Sequence, residues 1–174
     1  MKLHCFIAVV VPYEQAMVIS ETRSAFSSRY GTKHGLRTPP HITLIPPFYF
    51  LPGQESEIHR QCRLAAGSAK PFEVFINGYG HFGNKVIFLD VRQEESLRML
   101  HVKTNEAFNR DVNQPFHPHI TIAHRDLDPL TFKSAWEDVG KEEFSLAFKC
   151  ESISMLLHRD GSWVVESDFR FGGA

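Results

Sequence analysis

Two short segments of the chain combine a histidine and a threonine at the same spacing. The segment PPHITLIPPF places His41 two residues before Thr43, and the segment HPHITIAHR places His119 two residues before Thr121. Successive side chains of a β-strand point to opposite faces, so each histidine shares a face with its threonine. The two HIT segments therefore predict two strands that each present an imidazole and a hydroxyl group on one face.

Two such strands across one cleft would suit the cleavage of a phosphodiester. Because histidine has an unperturbed pKa of about 6.5, one ring can be neutral and the other protonated near neutral pH. The neutral ring would take a proton from water or an attacking hydroxyl group, and the protonated ring would give one to the leaving oxygen. The hydroxyl groups of Thr43 and Thr121 could hold the non-bridging oxygens. This chemistry needs no cofactor, and the sequence leaves open which histidine is the acid.

A metal site is the alternative use of these histidines. His117, His119 and His124 are close in sequence, and His34 or His41 could complete a zinc site. However, no acidic residue lies near the first HIT segment, and threonine is not a usual zinc ligand. Two histidines at matching positions also argue against a purely structural role. We therefore predict that no metal is bound.

The spacing of apolar residues and chain breakers predicts an α+β protein. Strands are predicted at 3–11, 41–45, 72–78, 85–91, 119–123, 144–158 and 162–169, and helices at 13–30, 55–69, 94–109 and 129–139. The prolines after Ile45 are expected to end the second strand, because proline cannot donate to a ladder. The pair Asp160 and Gly161 predicts a tight hairpin between the last two strands.

The two halves of the chain resemble each other residue by residue. A shift of 82 positions places Phe6 on Phe88 and TRSAF (22–26) on TNEAF (104–108), and the HIT segments are 78 residues apart. We therefore predict one domain, 1–174, built from two interleaved lobes with approximate repeats at 3–80 and 85–158. Such lobes would bring the two HIT segments together near a pseudo-twofold axis.

Composition restricts the possible partners. The 174-residue chain has a formal net charge of −1, so any positive charge that binds phosphate has to be local. The cysteines, Cys5, Cys62 and Cys150, form no CxxC pair, which argues against a disulfide framework or a cysteine zinc site. No apolar run approaches the roughly 20 residues of a membrane span. We predict a cytoplasmic protein without a membrane partner; its oligomeric state is not predicted, although a monomer is compatible with the sequence.

Together the segments PPHITLIPPF and FHPHITIAHR resemble the paired signatures of the two-histidine (2H) phosphoesterases, which include 2′-5′ RNA ligase-like proteins and cyclic phosphodiesterases. The resemblance covers nearly the whole chain. It implies a bilobal α+β fold in which two antiparallel sheets line a central cleft and helices lie outside. It also implies His41 and His119 as the acid–base pair, with Thr43 and Thr121 as phosphate ligands.

The second segment departs from the family pattern after Ala123. Many members have an arginine at the next position, whereas this chain has His124 followed by Arg125. If the strand stays regular, Arg125 shares a face with His119 and Thr121 and would bind the phosphate. If the strand ends at Ala123, His124 is the better candidate.

Aromatic and basic residues near the HIT segments could form a rim around the cleft. Phe48 follows the first segment, and Lys33 and Arg37 precede it. Together with His124, they could stack on a base or attract a phosphate.

We predict a metal-independent phosphodiesterase that opens 2′,3′-cyclic phosphates of a small nucleotide or an RNA terminus.

Two other functions are compatible with the same residues. One is RNA end processing, or 2′-5′ RNA ligation, on a larger RNA. The other is a catalytically idle module that binds phosphate or RNA, although two intact HIT segments argue against it.

Overall fold

The structure, a computed structural model, describes residues 2–173. Eight strands and four α-helices follow one another in these residues: β1 (Leu3–Val10), α1 (Tyr13–Tyr30), β2 (His41–Phe50), α2 (Glu55–Gly67), β3 (Phe72–Phe82), β4 (Val86–Val91), α3 (Glu95–Ala107), β5 (His119–His124), α4 (Pro129–Val139), β6 (Ser145–Cys150), β7 (Ser152–Arg159) and β8 (Ser162–Arg170). A short 3₁₀ helix, His34–Arg37, precedes β2. The predicted α+β class is confirmed.

The strands form two four-stranded antiparallel sheets of matching order. Sheet 1 has the order β2-β1-β7-β8 and sheet 2 has the order β5-β4-β3-β6. In each sheet the edge strand carries a HIT segment, and the two edge strands, β2 and β5, pack against each other. This matched arrangement is what the proposed duplication would produce.

The helices connect the two sheets. Helix α1 follows β1 of sheet 1, yet it packs against β5 and β6 of sheet 2. Helix α3 follows β4 of sheet 2, yet it packs against β2 of sheet 1. Each helix therefore supports the HIT strand of the opposite half.

One continuous apolar core joins the sheets and the helices. The residues next to the two histidines, Ile42 and Ile120, are fully buried in it, as alternation along a strand requires. Burying an isoleucine contributes about 1.5–3 kcal/mol, so this face fixes the side on which the histidines lie. No α-helix within residues 2–173 is long and apolar enough to span a membrane.

Three predicted strand boundaries were wrong. Strand β3, predicted to end at Gly78, continues to Phe82. Strand β2 does not end at Ile45 but continues through Pro46 and Pro47 to Phe50. The prolines are tolerated because β2 lies at the edge of its sheet, where an N–H group is dispensable on the outer side. The segment 144–158 is not one strand: the chain changes sheets at Glu151, so β6 pairs with β3 and β7 pairs with β1.

The hairpin at Asp160 and Gly161 is confirmed. Both residues have positive φ angles, 49° and 81°, as a type I′ turn requires.

A second glycine, Gly80 in β3, is required for a different reason. A Cβ atom there would overlap the ring of Phe88, so the glycine makes room for that ring.

Candidate active site

His41 and His119 are held in the same way. Nδ1 of His41 lies 2.7 Å from the carbonyl oxygen of Pro39, and Nδ1 of His119 lies 2.7 Å from the carbonyl oxygen of His117. Because a carbonyl oxygen only accepts, each Nδ1 carries the proton and donates. Nε2 of each ring is therefore the atom that can exchange a proton with a substrate.

Equivalent phenylalanines support the two rings. The ring of Phe6 lies 4.8 Å from that of His41, and the ring of Phe88 lies 5.1 Å from that of His119, measured between centroids. Phe82 adds an edge-on contact with His119 at 5.0 Å. Both histidines are half-buried, so their orientation is set by packing as well as by hydrogen bonding.

The electrostatic surroundings of the two histidines differ. Burial lowers the pKa of His41 to about 4; the hydrogen bond to Pro39 opposes this effect, and the charges of Arg23 and His119 add to it. Burial also lowers the pKa of His119; the hydrogen bond to the carbonyl oxygen of His117 opposes this effect, the charge of His117 adds to it, and the carboxylate of Asp90 acts in the raising direction. A carboxylate therefore influences His119, whereas the side chains that influence His41 are cationic.

Asp90 lies beside His119 on the neighbouring strand. It is the cross-strand partner of His119 in β4, and its Oδ1 lies 3.0 Å from Nε2 of His117. His117 in turn supplies the carbonyl oxygen that holds His119. Asp90 and His117 therefore form an acidic and hydrogen-bonding environment on one side of His119 that His41 lacks.

Thr43 and Thr121 share a strand face with His41 and His119, respectively. Thr43 of sheet 1 and His119 of sheet 2 line one cavity of about 820 Å³, whereas His41 and Thr121 are not among the described residues that line it. His41 lies close enough to His119 for their charges to interact. Thr121 is half-buried on the same side of β5 as His119. Further side chains line this cavity, among them His101, Phe116 and Arg110.

Each HIT strand contains a bulge directly after its threonine. The register of β2 against β1 shifts between Thr43 and Ile45, and that of β5 against β4 shifts between Thr121 and Ala123. Two consecutive residues are consequently buried in each strand, and the alternation of faces moves by one position.

The bulge changes where His124 and Arg125 lie relative to the histidines. His124 is the last residue of β5 and is half-buried; burial lowers its pKa, the charges of His34, Arg125 and His119 lower it further, and Asp126 opposes them. Arg125 lies beyond the strand, is exposed and has a φ angle of 59°. The regular strand that would place Arg125 on the face of His119 and Thr121 is therefore not present, and the role of Arg125 as a phosphate ligand stays a prediction.

The predicted rim residues lie in different surroundings. Arg37 lines a second cavity, of about 430 Å³, beside the first HIT segment. Lys33 is exposed, and its backbone N–H donates to Asp126. Phe48 packs against the core and against Phe108. The contacts of Lys33 and Phe48 with a substrate therefore stay predictions.

Sequence reasoning missed two buried polar residues that hold the HIT strands. Arg23 of α1 donates from Nε to the carbonyl oxygen of Thr121 at 3.0 Å and from Nη1 to that of Thr38 at 2.8 Å. Asn105 of α3 donates from Nδ2 to the carbonyl oxygen of Leu44 at 3.3 Å. The two residues are 3% and 5% exposed. The aligned sequences TRSAF and TNEAF were the available signal, because they place Arg23 and Asn105 at equivalent positions.

The alternative of a metal site gains no support from the geometry. Within residues 2–173, no group of three or more histidine, cysteine or acidic side chains is arranged to hold a metal ion. His117, one of the candidate ligands, instead contacts Asp90.

Comparisons with known proteins identify related sequences and structures. The model of the 2′-5′ RNA ligase superfamily matches residues 11–162. The Oceanobacillus iheyensis protein named "Putative phosphoesterase OB1230" is 31% identical over 158 residues, covering 88% of this chain and 92% of the relative. The structure of the Thermus thermophilus protein TT0787 is 22% identical, with a TM-score of 0.68 and 99% of each chain covered.

The structure of E. coli LigT complexed with 3′-AMP is 16% identical, with a TM-score of 0.69, and covers 99% of this chain and 100% of LigT. Identities this low establish the shared fold, whereas the family match extends over most of the sequence. The paired HIT segments, the two matched sheets and this match lead to one conclusion: the chain belongs to the 2′-5′ RNA ligase superfamily of two-histidine phosphoesterases.

Proposed function

We propose that this protein is a metal-independent cyclic phosphodiesterase that opens 2′,3′-cyclic phosphates of nucleotides or RNA ends. The observation that carries the proposal is the matched anchoring of His41 and His119, whose Nδ1 atoms donate to backbone carbonyls and leave both Nε2 atoms for proton transfer. The complex of the related LigT with 3′-AMP supports a nucleotide as the class of ligand.

His41 acts as the general base in this proposal. Its pKa is lowered to about 4, so the ring is neutral near pH 7 and can accept a proton. Nε2 of His41 takes a proton from water, and the water oxygen forms a bond to phosphorus. A negatively charged phosphate in the site raises the proton affinity of the ring as the proton arrives.

His119 acts as the general acid. Burial lowers the pKa of His119 overall, but the carboxylate of Asp90, which has no counterpart among the groups that act on His41, favours the protonated form, and a bound phosphate anion would favour it further. As the bond between phosphorus and the ribose oxygen breaks, the leaving oxygen takes the proton from Nε2 of His119. Thr43 and Thr121 donate hydrogen bonds to the non-bridging oxygens, whose negative charge is greatest in the transition state. Proton exchange with water then restores both rings.

The test is turnover of a panel of 2′,3′-cyclic nucleotides with chelator present, by the wild type and by His41→Ala and His119→Ala. Each variant should lose roughly 10²–10⁴-fold in rate, the usual contribution of a general acid or base. Circular dichroism and thermal unfolding confirm that the variants are folded. Full turnover by either folded variant would remove that histidine from the mechanism, and loss of wild-type activity with chelator would favour a metal-dependent reaction.

A further inference from the structure

We propose that the cavity around Arg23 is a second phosphate-binding subsite, which holds the phosphate one nucleotide away from the bond that is cleaved. This inference rests on the proposed function and narrows its substrate to an oligonucleotide that ends in a cyclic phosphate. The cavity has a volume of about 430 Å³ and lies beside Pro39 and Pro40, directly before His41.

Arg23 and Asn105 hold the HIT strands with groups of different charge. Both residues donate to a backbone carbonyl of the HIT strand in the opposite sheet. Asn105 does so with a neutral amide. Arg23 also donates to the carbonyl oxygen of Thr38, so its guanidinium bridges two backbone carbonyls and adds a positive charge that has no counterpart at Asn105.

This charge is buried without a compensating anion. Arg23 is 3% exposed, and within residues 2–173 it forms no ion pair with a carboxylate. Its Nε and Nη1 atoms donate to carbonyl oxygens, whereas Nη2 has no hydrogen-bond partner in the described part of the chain. Burial lowers the pKa of Arg23 to about 10, which reflects the free-energy cost of an isolated buried cation. A bound phosphate would supply the missing negative charge.

The lining of the cavity suits a phosphate group. Arg37 adds a second, exposed guanidinium at its edge, and arginine is well matched to phosphate oxygens. Three serines, Ser20, Ser24 and Ser162, contribute further polar groups, and no acidic residue among positions 2–173 lines the cavity. The cavity that contains Asn105, by contrast, includes the acidic side chain of Asp111.

A row of aromatic rings connects this cavity with the candidate active site. Trp163 forms part of the cavity wall, its ring centroid lies 4.7 Å from that of Phe6, and Phe6 lies 4.8 Å from His41. An oligonucleotide could therefore place its terminal cyclic phosphate at His41 and the preceding phosphate near Arg23. Trp163 would offer a stacking surface for the base between them.

The experiment compares kcat and KM for three substrates: adenosine 2′,3′-cyclic phosphate, the same nucleotide with a 5′-phosphate, and the dinucleotide ApA with a terminal 2′,3′-cyclic phosphate. The wild type should show a KM about tenfold lower for the dinucleotide than for the unphosphorylated mononucleotide, because one charge-assisted hydrogen-bonding contact is gained. If the KM of the 5′-phosphorylated mononucleotide were lowered as much as that of the dinucleotide, a terminal phosphate monoester would be enough to fill the subsite. That result would overturn the assignment of an oligonucleotide as substrate.

The variant Arg37→Gln tests the subsite without disturbing the HIT strands. It should raise the KM for the dinucleotide about tenfold more than the KM for the unphosphorylated mononucleotide. Arg98→Gln is the matched control, because it removes an exposed arginine of α3 that pairs with Glu95. Arg98→Gln should have the same kcat and KM as the wild type for all three substrates.

The outcomes separate the subsite from the proposed function. Turnover of all substrates with equal KM values, or a loss in Arg37→Gln that is the same for each substrate, would overturn the subsite and leave the phosphodiesterase standing. Absence of turnover with every cyclic phosphate would contradict the proposed function. In that case, equilibrium binding of the dinucleotide to wild type and Arg37→Gln tests the subsite alone, and equal affinities would refute it.

Discussion

Arg23 and Asn105 occupy equivalent positions on α1 and α3, and each donates a hydrogen bond to the HIT strand of the opposite sheet. Arg23 reaches the carbonyl oxygen of Thr121, and Asn105 reaches that of Leu44. Both strands are edge strands, whose outer carbonyl groups have no neighbouring strand to pair with. The two side chains thus satisfy backbone groups and fix the relative position of the sheets that carry the histidines.

Replacing Asn105 with leucine should lower both stability and turnover. Leucine has a similar size but no donor, so the carbonyl group of Leu44 loses its partner at a cost of about 1–3 kcal/mol in the free energy of unfolding. Urea denaturation measures this change, and Glu106→Ala, at an exposed position of the same helix, is the control. Equal stability of Asn105→Leu and wild type would show that the hydrogen bond does not hold the strand.

Replacing Arg23 with glutamine should shift the pH dependence of the reaction. The positive charge of Arg23 lowers the pKa of His41, so its removal raises that pKa. Since the base has to be deprotonated, the acidic limb of the kcat/KM profile should move to higher pH. Asn105→Leu removes a comparable hydrogen bond without a charge and should leave the limb in place. An identical shift in both variants would assign the effect to distorted geometry.

Replacing Asp90 with asparagine tests the assignment of the acid. The carboxylate of Asp90 raises the pKa of His119, so its loss lowers that pKa. Since the acid has to be protonated, the alkaline limb of kcat/KM should move to lower pH while the acidic limb stays in place. Movement of the acidic limb alone would mean that His119 is the base and that the roles are reversed.

The sheets and the paired histidines could be predicted because their signals are local. Alternation of apolar residues around His41 and His119 identified the strands and the face that each histidine occupies. The order of the elements and the aligned halves of the sequence predicted two similar lobes, and the resemblance to the two-histidine phosphoesterases implied the two antiparallel sheets. The turn at Asp160 and Gly161 was predictable because its chemistry lies within two residues.

The errors arose where tertiary structure overrides local pattern. Pro46 ends a strand only if the strand is flanked on both sides, and the edge position of β2 is a property of the whole sheet. The bulge after Thr121 has no mark in the sequence, yet it moves His124 to the side of the histidines. The aligned halves showed that Arg23 and Asn105 correspond, but not that their helices cross to opposite sheets.

Stability should also depend on the neutral state of His41. Its pKa is about 4 in the folded protein and near 6.5 in the unfolded chain, so the unfolded state binds the proton more tightly. The contribution to stability is complete above about pH 6.5 and is lost as the pH falls towards 4. Urea denaturation across this range should show a smaller loss for His41→Gln than for wild type, and equal slopes would contradict the lowered pKa.

The separate roles of His41 and His119 are tested most directly by changing the leaving group. An oxygen that leaves as p-nitrophenolate needs no proton, whereas the ribose oxygen of adenosine 2′,3′-cyclic phosphate does. We predict that His119→Ala loses roughly 10²–10⁴-fold with the cyclic nucleotide but little with bis(p-nitrophenyl) phosphate, while His41→Ala loses activity with both. The roles would be contradicted if both variants lost the same rate on both substrates. They would also be contradicted if His41→Ala, and not His119→Ala, kept its rate with bis(p-nitrophenyl) phosphate.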